Sequence, residues 1–230
     1  MKNSEEESSD MKNCMNYNGN TKKDSDPDQF LYIDRLLWPV TALGPGQRIA
    51  LWISGCTHHC YNCANPELWE KKPFQKIPIK KLQNILTSMC TEKKVDGLTI
   101  TGGEPFDQSA ALIALLDGIA DFFPDVLIYS GYTKEELENS PIRKELLRRV
   151  DVLVDGPYKD ELNKPSIVLR GSENQKIYYQ NQDIKEKYET YLRKGRQIQN
   201  FVYDYKIISV GIHSNPKNLK QQEIKHERKN

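Results

Sequence analysis

Three cysteines fall within the short stretch Gly55-Cys56-Thr57-His58-His59-Cys60-Tyr61-Asn62-Cys63. The spacing C-x3-C-x2-C lets one loop aim three thiolates at three irons of a cuboidal four-iron cluster. Such cubes normally take four thiolates, one per iron. The remaining two of the five cysteines, Cys14 and Cys90, are remote in sequence, so one iron is left open. An open metal position can bind a substrate or a cofactor. The alternative is a zinc-binding module without catalysis, completed by His58 or His59. His59 abuts Cys60, so its imidazole would have to fold back to reach the same ion, and zinc pairs usually open as C-x2-C. Disulfide pairing would leave one of the three unpaired, and nothing in the chain suggests secretion.

Four further stretches carry groups that can hold a ligand. In Thr101-Gly102-Gly103-Glu104-Pro105 the paired glycines allow close backbone approach, and Glu104 offers a carboxylate to an ammonium group. In Tyr129-Ser130-Gly131-Tyr132, Ser130 and Gly131 can face a ribose or carboxylate with Tyr132 as a wall; a simple turn needs only the same small residues. In Val154-Asp155-Gly156-Pro157, Asp155 can bond a ribose hydroxyl or an incoming substrate, or serve plain turn chemistry. In Leu169-Arg170-Gly171-Ser172-Glu173-Asn174-Gln175, Arg170 is a permanent cation with bidentate geometry for a carboxylate, and Asn174 and Gln175 can read the edges of a base. Arg48, beside the Gly-rich Leu43-Gly44-Pro45-Gly46-Gln47, reads as a structural residue holding a tight loop near the cluster.

These stretches need elements to position them. Phe30–Ile33 and Arg48–Ile53 read as strands, the second running directly into the cysteine loop. Ile79, Leu82, Ile85, Leu86 and Met89 recur at helical spacing, followed by a short buried strand at Gly97–Thr101. Ala111, Leu112, Leu115, Leu116, Ile119 and Phe123 mark a second helix, and Val126–Tyr129 another strand. Thr133 with Glu136 forms a capping box for the next helix. Val150–Val154 and Ser166–Leu169 complete the strands of the core, and Phe201–Tyr203 with Lys206–Val210 suits a closing hairpin. Alternating strands and helices predict parallel pairing with right-handed crossovers, with too few units for a closed eight-fold barrel. The expected fold is therefore α/β, a partial open (β/α) barrel. Ligands should bind at the carboxyl ends of its strands, where each motif falls.

Composition fits this picture. A chain of 230 residues can bury one sizeable core. A formal net charge of +1 provides no global field for nucleic acid or membrane, and no apolar run is long enough to span a bilayer. Residues 1–29 are too polar to offset ordering entropy and read as a disordered leader; residues 30–212 form the domain, and 213–230 a polar basic tail. The start lacks the apolar core of a signal peptide, so the expected compartment is the cytoplasm. Cys14 in the leader and Cys90 at a helix end read as ordinary free cysteines.

Taken together, Gly44–Arg48, Gly55–Cys63, Asn65-Pro66-Glu67-Leu68-Trp69, Thr101–Pro105, Tyr129–Tyr132, Asp151–Pro157, Arg170–Gln175 and Gly211-Ile212 resemble the activating enzymes of glycyl-radical proteins. These form a branch of the radical S-adenosylmethionine (SAM) superfamily, and the likeness is greatest to activases of anaerobic ribonucleotide reductase. The resemblance implies a four-iron cluster on Cys56, Cys60 and Cys63, with SAM chelating the free iron. It implies Gly102, Gly103, Glu104, Ser130, Gly131, Asp155 and Arg170 around SAM, and an electron donor of flavodoxin or ferredoxin type. Reduction would break the S–C5′ bond, and the resulting 5′-deoxyadenosyl radical would take hydrogen from a glycine of a large partner. A radical SAM enzyme acting on a peptide or small molecule is the alternative within the superfamily. The sequence departs from the pattern: Asn62 precedes the third cysteine where many of these enzymes have an aromatic residue, Leu43 stands where the reductase activases often have Asn, and the polar leader and the Lys- and Tyr-rich end have no counterpart in the short activases.

Overall fold

The computed structural model describes residues 30–203 and 206–213. The expected leader, Cys14 and the tail beyond His213 lie outside these residues. One seven-stranded sheet forms the frame, in the order β3-β1-β2-β4-β5-β6-β7, with strands β1 (Phe30–Val40), β2 (Arg48–Ile53), β3 (Lys76–Pro78), β4 (Gly97–Gly102), β5 (Val126–Tyr129), β6 (Val152–Asp155) and β7 (Lys176–Tyr179). The inner strands β2, β4, β5 and β6 pair in parallel, as βαβ connections require. The edges correct the all-parallel expectation. β1 lies antiparallel to both β2 and β3, and β7 antiparallel to β6. The sheet does not close into a barrel.

Strand periodicity assigns the two faces. Ile49, Leu51, Ile53, Leu98, Ile100, Ile128 and Leu153 join one core with apolar residues of α1 (Ile79–Glu92), α2 (Ser109–Asp117) and α4 (Pro141–Leu147). The alternate residues point the other way: Ala50 and Trp52 pack with Val210 of the two-stranded ribbon β8 (Ile198–Tyr203) and β9 (Lys206–Gly211), and Leu127, Val152 and Val154 pack with Tyr188 and Tyr191 of α5 (Lys185–Arg193). Both faces are thus covered, as a parallel core requires. The expected capping box is present at α3 (Lys134–Glu138), where the Thr133 side chain accepts from Glu136 N and Glu136 from Thr133 N.

Ser166–Leu169 is not a strand. Leu169 adopts φ 65°, and the carbonyls that a ladder would use are taken by side chains: Tyr129 Oη donates to Leu169 O at 2.8 Å and Arg196 Nε to Ile167 O at 2.9 Å. Arg48 is fully buried. It donates to Thr99 Oγ1 (2.7 Å), to Leu98 O (2.7 Å) and to the Asp125 carboxylate (2.8 Å), and so ties the Gly-rich loop to β4 and β5. That loop sits at the opposite end of β2 from the cysteines rather than near them, and of its residues Leu43 reaches the cavity described next.

Candidate iron–sulfur site

The cysteine loop leaves β2 at Ile53 and is stitched in place on both sides. Ser54 N donates to Tyr32 O (2.8 Å), Gly55 N to Leu68 O (2.7 Å) and Cys56 N to Trp69 O (3.0 Å). The Asn-Pro-Glu-Leu-Trp stretch supplies the last two acceptors. Pro66 opens a 3-10 turn over Pro66–Leu68, and Leu68 is fully buried beneath it. From the other side Gly103 N donates to Ile53 O (2.6 Å) and Glu104 N to Gly55 O (2.8 Å). A Cβ on Gly103 would lie 2.3 Å from Gly55 O, and one on Gly102 2.5 Å from Ile53 N, so these glycines let β4 approach the cysteine loop. Both glycines also line the cavity described below, so the approach to a ligand that the sequence suggests is compatible with this role.

Within the loop His59 and Asn62 turn the chain with φ 46° and 54°, and Cys63 N closes a turn on Cys60 O at 3.2 Å. Asn tolerates this left-handed conformation better than an aromatic residue does, which accounts for Asn62 before the third cysteine. Its Nδ2 also donates to Asp160 Oδ1 at 2.9 Å. All three sulfurs are half-buried. Burial pushes the Cys56 and Cys60 thiols up, opposed by backbone N–H groups of His58 and His59 on Cys56 and of Tyr158 on Cys60. Asn65 N donates to Cys63 Sγ at 3.4 Å. Metal binding here must displace protons, and the same N–H groups then stabilise thiolate charge.

The three cysteines line a cavity of about 490 Å³ together with Gly102, Gly103, Glu104, Ser130 and Gly131. Glu104 is buried, and its carboxylate accepts three hydrogen bonds from two turns. Its Oε1 accepts from Phe106 N and Ser130 Oγ (both 2.9 Å), and its Oε2 from Gly131 N (2.7 Å). The carboxylate expected to meet an ammonium group is thus largely occupied by the protein. His58 lies over this carboxylate, Nε2 3.4 Å from Glu104 Oε2 but without hydrogen-bonding geometry, and its ring meets Tyr132 edge-on at 4.4 Å. Contact with Glu104 raises the His58 pKa against the opposing effect of burial. A Cβ on Gly131 would strike the His58 ring at 2.6 Å, which explains a glycine there.

Asp155 and Arg170 do not line the cavity. Asp155 is buried and accepts from Lys134 N at the start of α3 (2.7 Å) and from Lys176 N (3.2 Å); desolvation raises its pKa despite these donors. Arg170 turns its Nη1 onto Gln175 O (2.7 Å). Gln175 does reach the cavity wall, but its amide bonds Gly171 N, Ser172 N and Gly156 O, and Asn174 Nδ2 bonds Pro157 O. The loop still reaches the correct rim, because antiparallel β7 begins where β6 ends, with Lys176 opposite Asp155. The sequence reading missed Tyr158, Asn163 and the ribbon residues Ile208–Ile212 as lining groups, along with His213. For Tyr158 its place directly after Asp155-Gly156-Pro157 was the available signal; for the ribbon it was Gly211-Ile212, which carries part of the resemblance without being assigned to the site.

The residues suit an iron–sulfur cluster better than a single zinc ion. The His58 ring meets Tyr132 edge-on and faces the Glu104 carboxylate, and the His59 ring lies tilted against Trp69 at 4.8 Å. Among the described residues no three His, Cys, Asp or Glu side chains converge as ligands of one ion. Two polar atoms on the cavity wall, His58 Nε2 and Trp69 Nε1, are buried without hydrogen-bond partners, as in a site built to meet a ligand.

Residues 42–178 match the family model of the 4Fe-4S single cluster domain, which defines an iron–sulfur protein. The chain is 36% identical over 143 residues to the anaerobic ribonucleoside-triphosphate reductase-activating protein of Pasteurella multocida, covering 59% of this chain and 89% of that protein. The proteins of the same name from Enterobacteria phage T4 (34%, 59% and 85% covered) and Escherichia coli K12 (32%, 59% and 90% covered) are similar at comparable length. The chain belongs to this family of iron–sulfur activating enzymes. Among the described residues no helix is long and apolar enough to cross a membrane.

Proposed function

We propose that this protein holds a four-iron cluster on Cys56, Cys60 and Cys63, binds SAM at the free iron, and generates a glycyl radical on an anaerobic ribonucleotide reductase-like partner in the cytoplasm. The observation that carries the reading is the single cavity in which the three half-buried sulfurs meet the Gly102-Gly103-Glu104 and Ser130-Gly131 turns. The open sheet, with its site at the carboxyl ends of the inner strands, is read as a partial barrel of the radical SAM type. When bound, cluster and SAM would supply reductive cleavage of the S–C5′ bond and a 5′-deoxyadenosyl radical able to abstract hydrogen from glycine.

The chain's own residues bind and orient. The cysteines provide thiolates, and the N–H groups of His58, His59, Asn65 and Tyr158 stabilise their charge. Glu104 holds the Ser130-Gly131 turn through its carboxylate and the start of the cysteine loop through its backbone N–H on Gly55 O. Residues 208–211 of β9 and the following Ile212 form one wall of the cavity and reduce its contact with water. No proton transfer by a side chain is required, because the cofactors carry the hard chemistry. The partner's glycine must come within near-attack distance of C5′, which only a docked substrate provides.

The test is anaerobic incubation of the reconstituted protein with SAM, reductant and a candidate reductase. Electron paramagnetic resonance should show a glycyl doublet on the reductase that is lost in Cys60→Ala. Ready SAM cleavage with no radical on any glycyl-radical candidate would refute the partner assignment in favour of a peptide or small-molecule substrate. Stoichiometric zinc without iron-dependent colour would refute the cluster.

A further inference from the structure

Cys56 has two sides. One faces the cavity; the other forms part of a larger open groove of about 1270 Å³ on the outside of the cysteine loop, walled by Tyr32, Lys71, Lys76, Phe106 and Arg143. Its lining carries Lys71, Lys76 and Arg143 against Glu70 and Asp107. The segment Glu70–Lys81, which contributes Glu70, Lys71 and Lys76 to the lining, holds five lysines against one glutamate in a chain whose formal net charge is only +1. Among the described residues none of Lys71, Lys72, Lys76, Lys80 and Lys81 is ion-paired. Lys71 and Lys76 rest over aromatic rings, with their ammonium groups 5.4 Å from the Tyr32 centroid and 4.0 Å from that of Phe30. The acid on the opposite wall, Asp107, is consumed by Arg143 (3.4 Å), Tyr132 Oη (2.8 Å) and Thr57 Oγ1 (3.0 Å). Apolar surface lies among the cations: Phe74, on the turn between Lys72 and Lys76, is 82% exposed, and Ile142 in the groove wall is 48% exposed. Exposed apolar side chains beside lysines without ion-pair partners suit the docking of an acidic protein.

We propose that this groove docks a small acidic electron-carrier protein, which passes its electron to the cluster through Cys56. The proposal rests on the functional reading above. One electron leaves the carrier and takes the cluster from the 2+ to the 1+ state; no atom or proton is transferred. Position favours a carrier over the reductase target, because the target must enter the cavity to reach SAM, whereas a carrier in the groove leaves the cavity free. A carrier must also leave after each electron, and a modest patch steered by charge suits such a transient encounter.

The experiment follows cluster bleaching anaerobically, with photoreduced flavodoxin as the acidic probe and with dithionite as a small-molecule control. Lys71→Gln/Lys76→Gln should slow reduction by flavodoxin about tenfold or more at low ionic strength and flatten its salt dependence, as loss of steering predicts. Reduction by dithionite should be unchanged. The Lys71 stem packs against Gly55, so Lys72→Glu/Lys76→Glu, which leaves Lys71 in place, is the second variant and should show the same divergence. Wild-type rates and salt dependence in both variants would overturn the proposal and leave the lysines as guards of the edge strand β3. Loss of the glycyl radical in the variants even under dithionite would overturn it in favour of reductase docking. A wild-type cluster that dithionite cannot reduce would refute the functional reading itself, a result distinct from failure of the groove.

Discussion

Replacing Gly103 with alanine adds one methyl group, and the structure fixes where it goes. Gly103 is not among the residues with positive φ, so alanine meets no backbone penalty and the effect is collision alone. The new Cβ would stand 2.3 Å from Gly55 O, 2.8 Å from Gly55 C and 3.1 Å from Gly55 N, all backbone atoms that no rotamer change can move aside. Relief requires the strand end and the Gly55 peptide to part by about 1 Å, the gap to ordinary carbon–oxygen contact. That movement stretches the hydrogen bonds Glu104 N→Gly55 O and Gly103 N→Ile53 O, now 2.8 and 2.6 Å. Overpacking of about 1–3 kcal/mol plus about 1 kcal/mol for each weakened bond gives about 3–5 kcal/mol. For a domain of this size that lowers Tm by about 6–20 °C. Because Gly55 precedes Cys56, the same movement displaces a thiolate by more than the ~0.5 Å a preorganised site tolerates. Gly103→Ala should therefore lose most of its iron and sulfide after anaerobic reconstitution, and not merely its affinity for SAM. Gly156→Ala is the control: its φ of +94° imposes strain, but the nearest atoms to its Cβ are 3.9 Å away, so it should lose stability and keep its iron. A Gly103→Ala protein with full iron content and wild-type Tm would refute the close-approach argument.

Replacing Cys56, Cys60 or Cys63 with alanine should abolish the visible absorbance of the reconstituted protein, while Cys90→Ala should keep it, as checked by iron and sulfide analysis. Glu104→Gln should be disruptive despite its size, because either amide orientation points an NH2 at Phe106 N–H or Gly131 N–H; a loss of about 2–4 kcal/mol is expected from one charged bond and one unsatisfied donor, read in denaturant unfolding. Asp125→Asn should cost about 3–5 kcal/mol by leaving Arg48 buried without its countercharge. Burial alone would raise the Asp125 pKa, but Arg48 and Tyr188 outweigh it and hold the carboxyl below the usual range. Its contribution is therefore present above the unfolded-state pKa of about 4 and lost as pH falls through the lower folded value. Acid unfolding of the wild type should steepen below about pH 4, and Asp125→Asn should show a shallower dependence there.

Much of the frame was legible because it is written in local periodicity. β2 and β5 have the boundaries their apolar runs predict, α1 follows its helical spacing, and Thr133 with Glu136 caps α3. What local pattern does not contain is the partner across a gap. Ser166–Leu169 has the alternation of a strand, yet its carbonyls are taken by Tyr129, 40 residues earlier, and Arg196, 29 residues later. The direction of the edge strands is likewise set by how the chain returns to the sheet. The ribbon over the cavity was expected as a hairpin, but nothing in its alternation says that its second strand faces the cysteine loop.

The site shows the same limit more sharply in its two strand-end carboxylates. Glu104 and Asp155 follow parallel neighbours of similar sequence texture, and both read as rim acids. Side-chain parity separates them. Along β6, Val152 and Val154 face the side of the sheet that carries the cavity, as Trp52, Thr101 and Tyr129 do on their strands, whereas Leu153 faces the helices. Asp155 is two residues beyond Leu153, and so it falls on the helix side, where it meets the first N–H of α3. Glu104 has already left β4 and escapes that rule; its backbone is pinned to Gly55, which swings the carboxylate over the end of the sheet between His58 and Gly131. Parity was available from the sequence, but it assigns residues to two faces without saying which face holds the chemistry. Only the packing of α1, α2 and α4 on one side decides that, and with it which strand-end acid can reach the site.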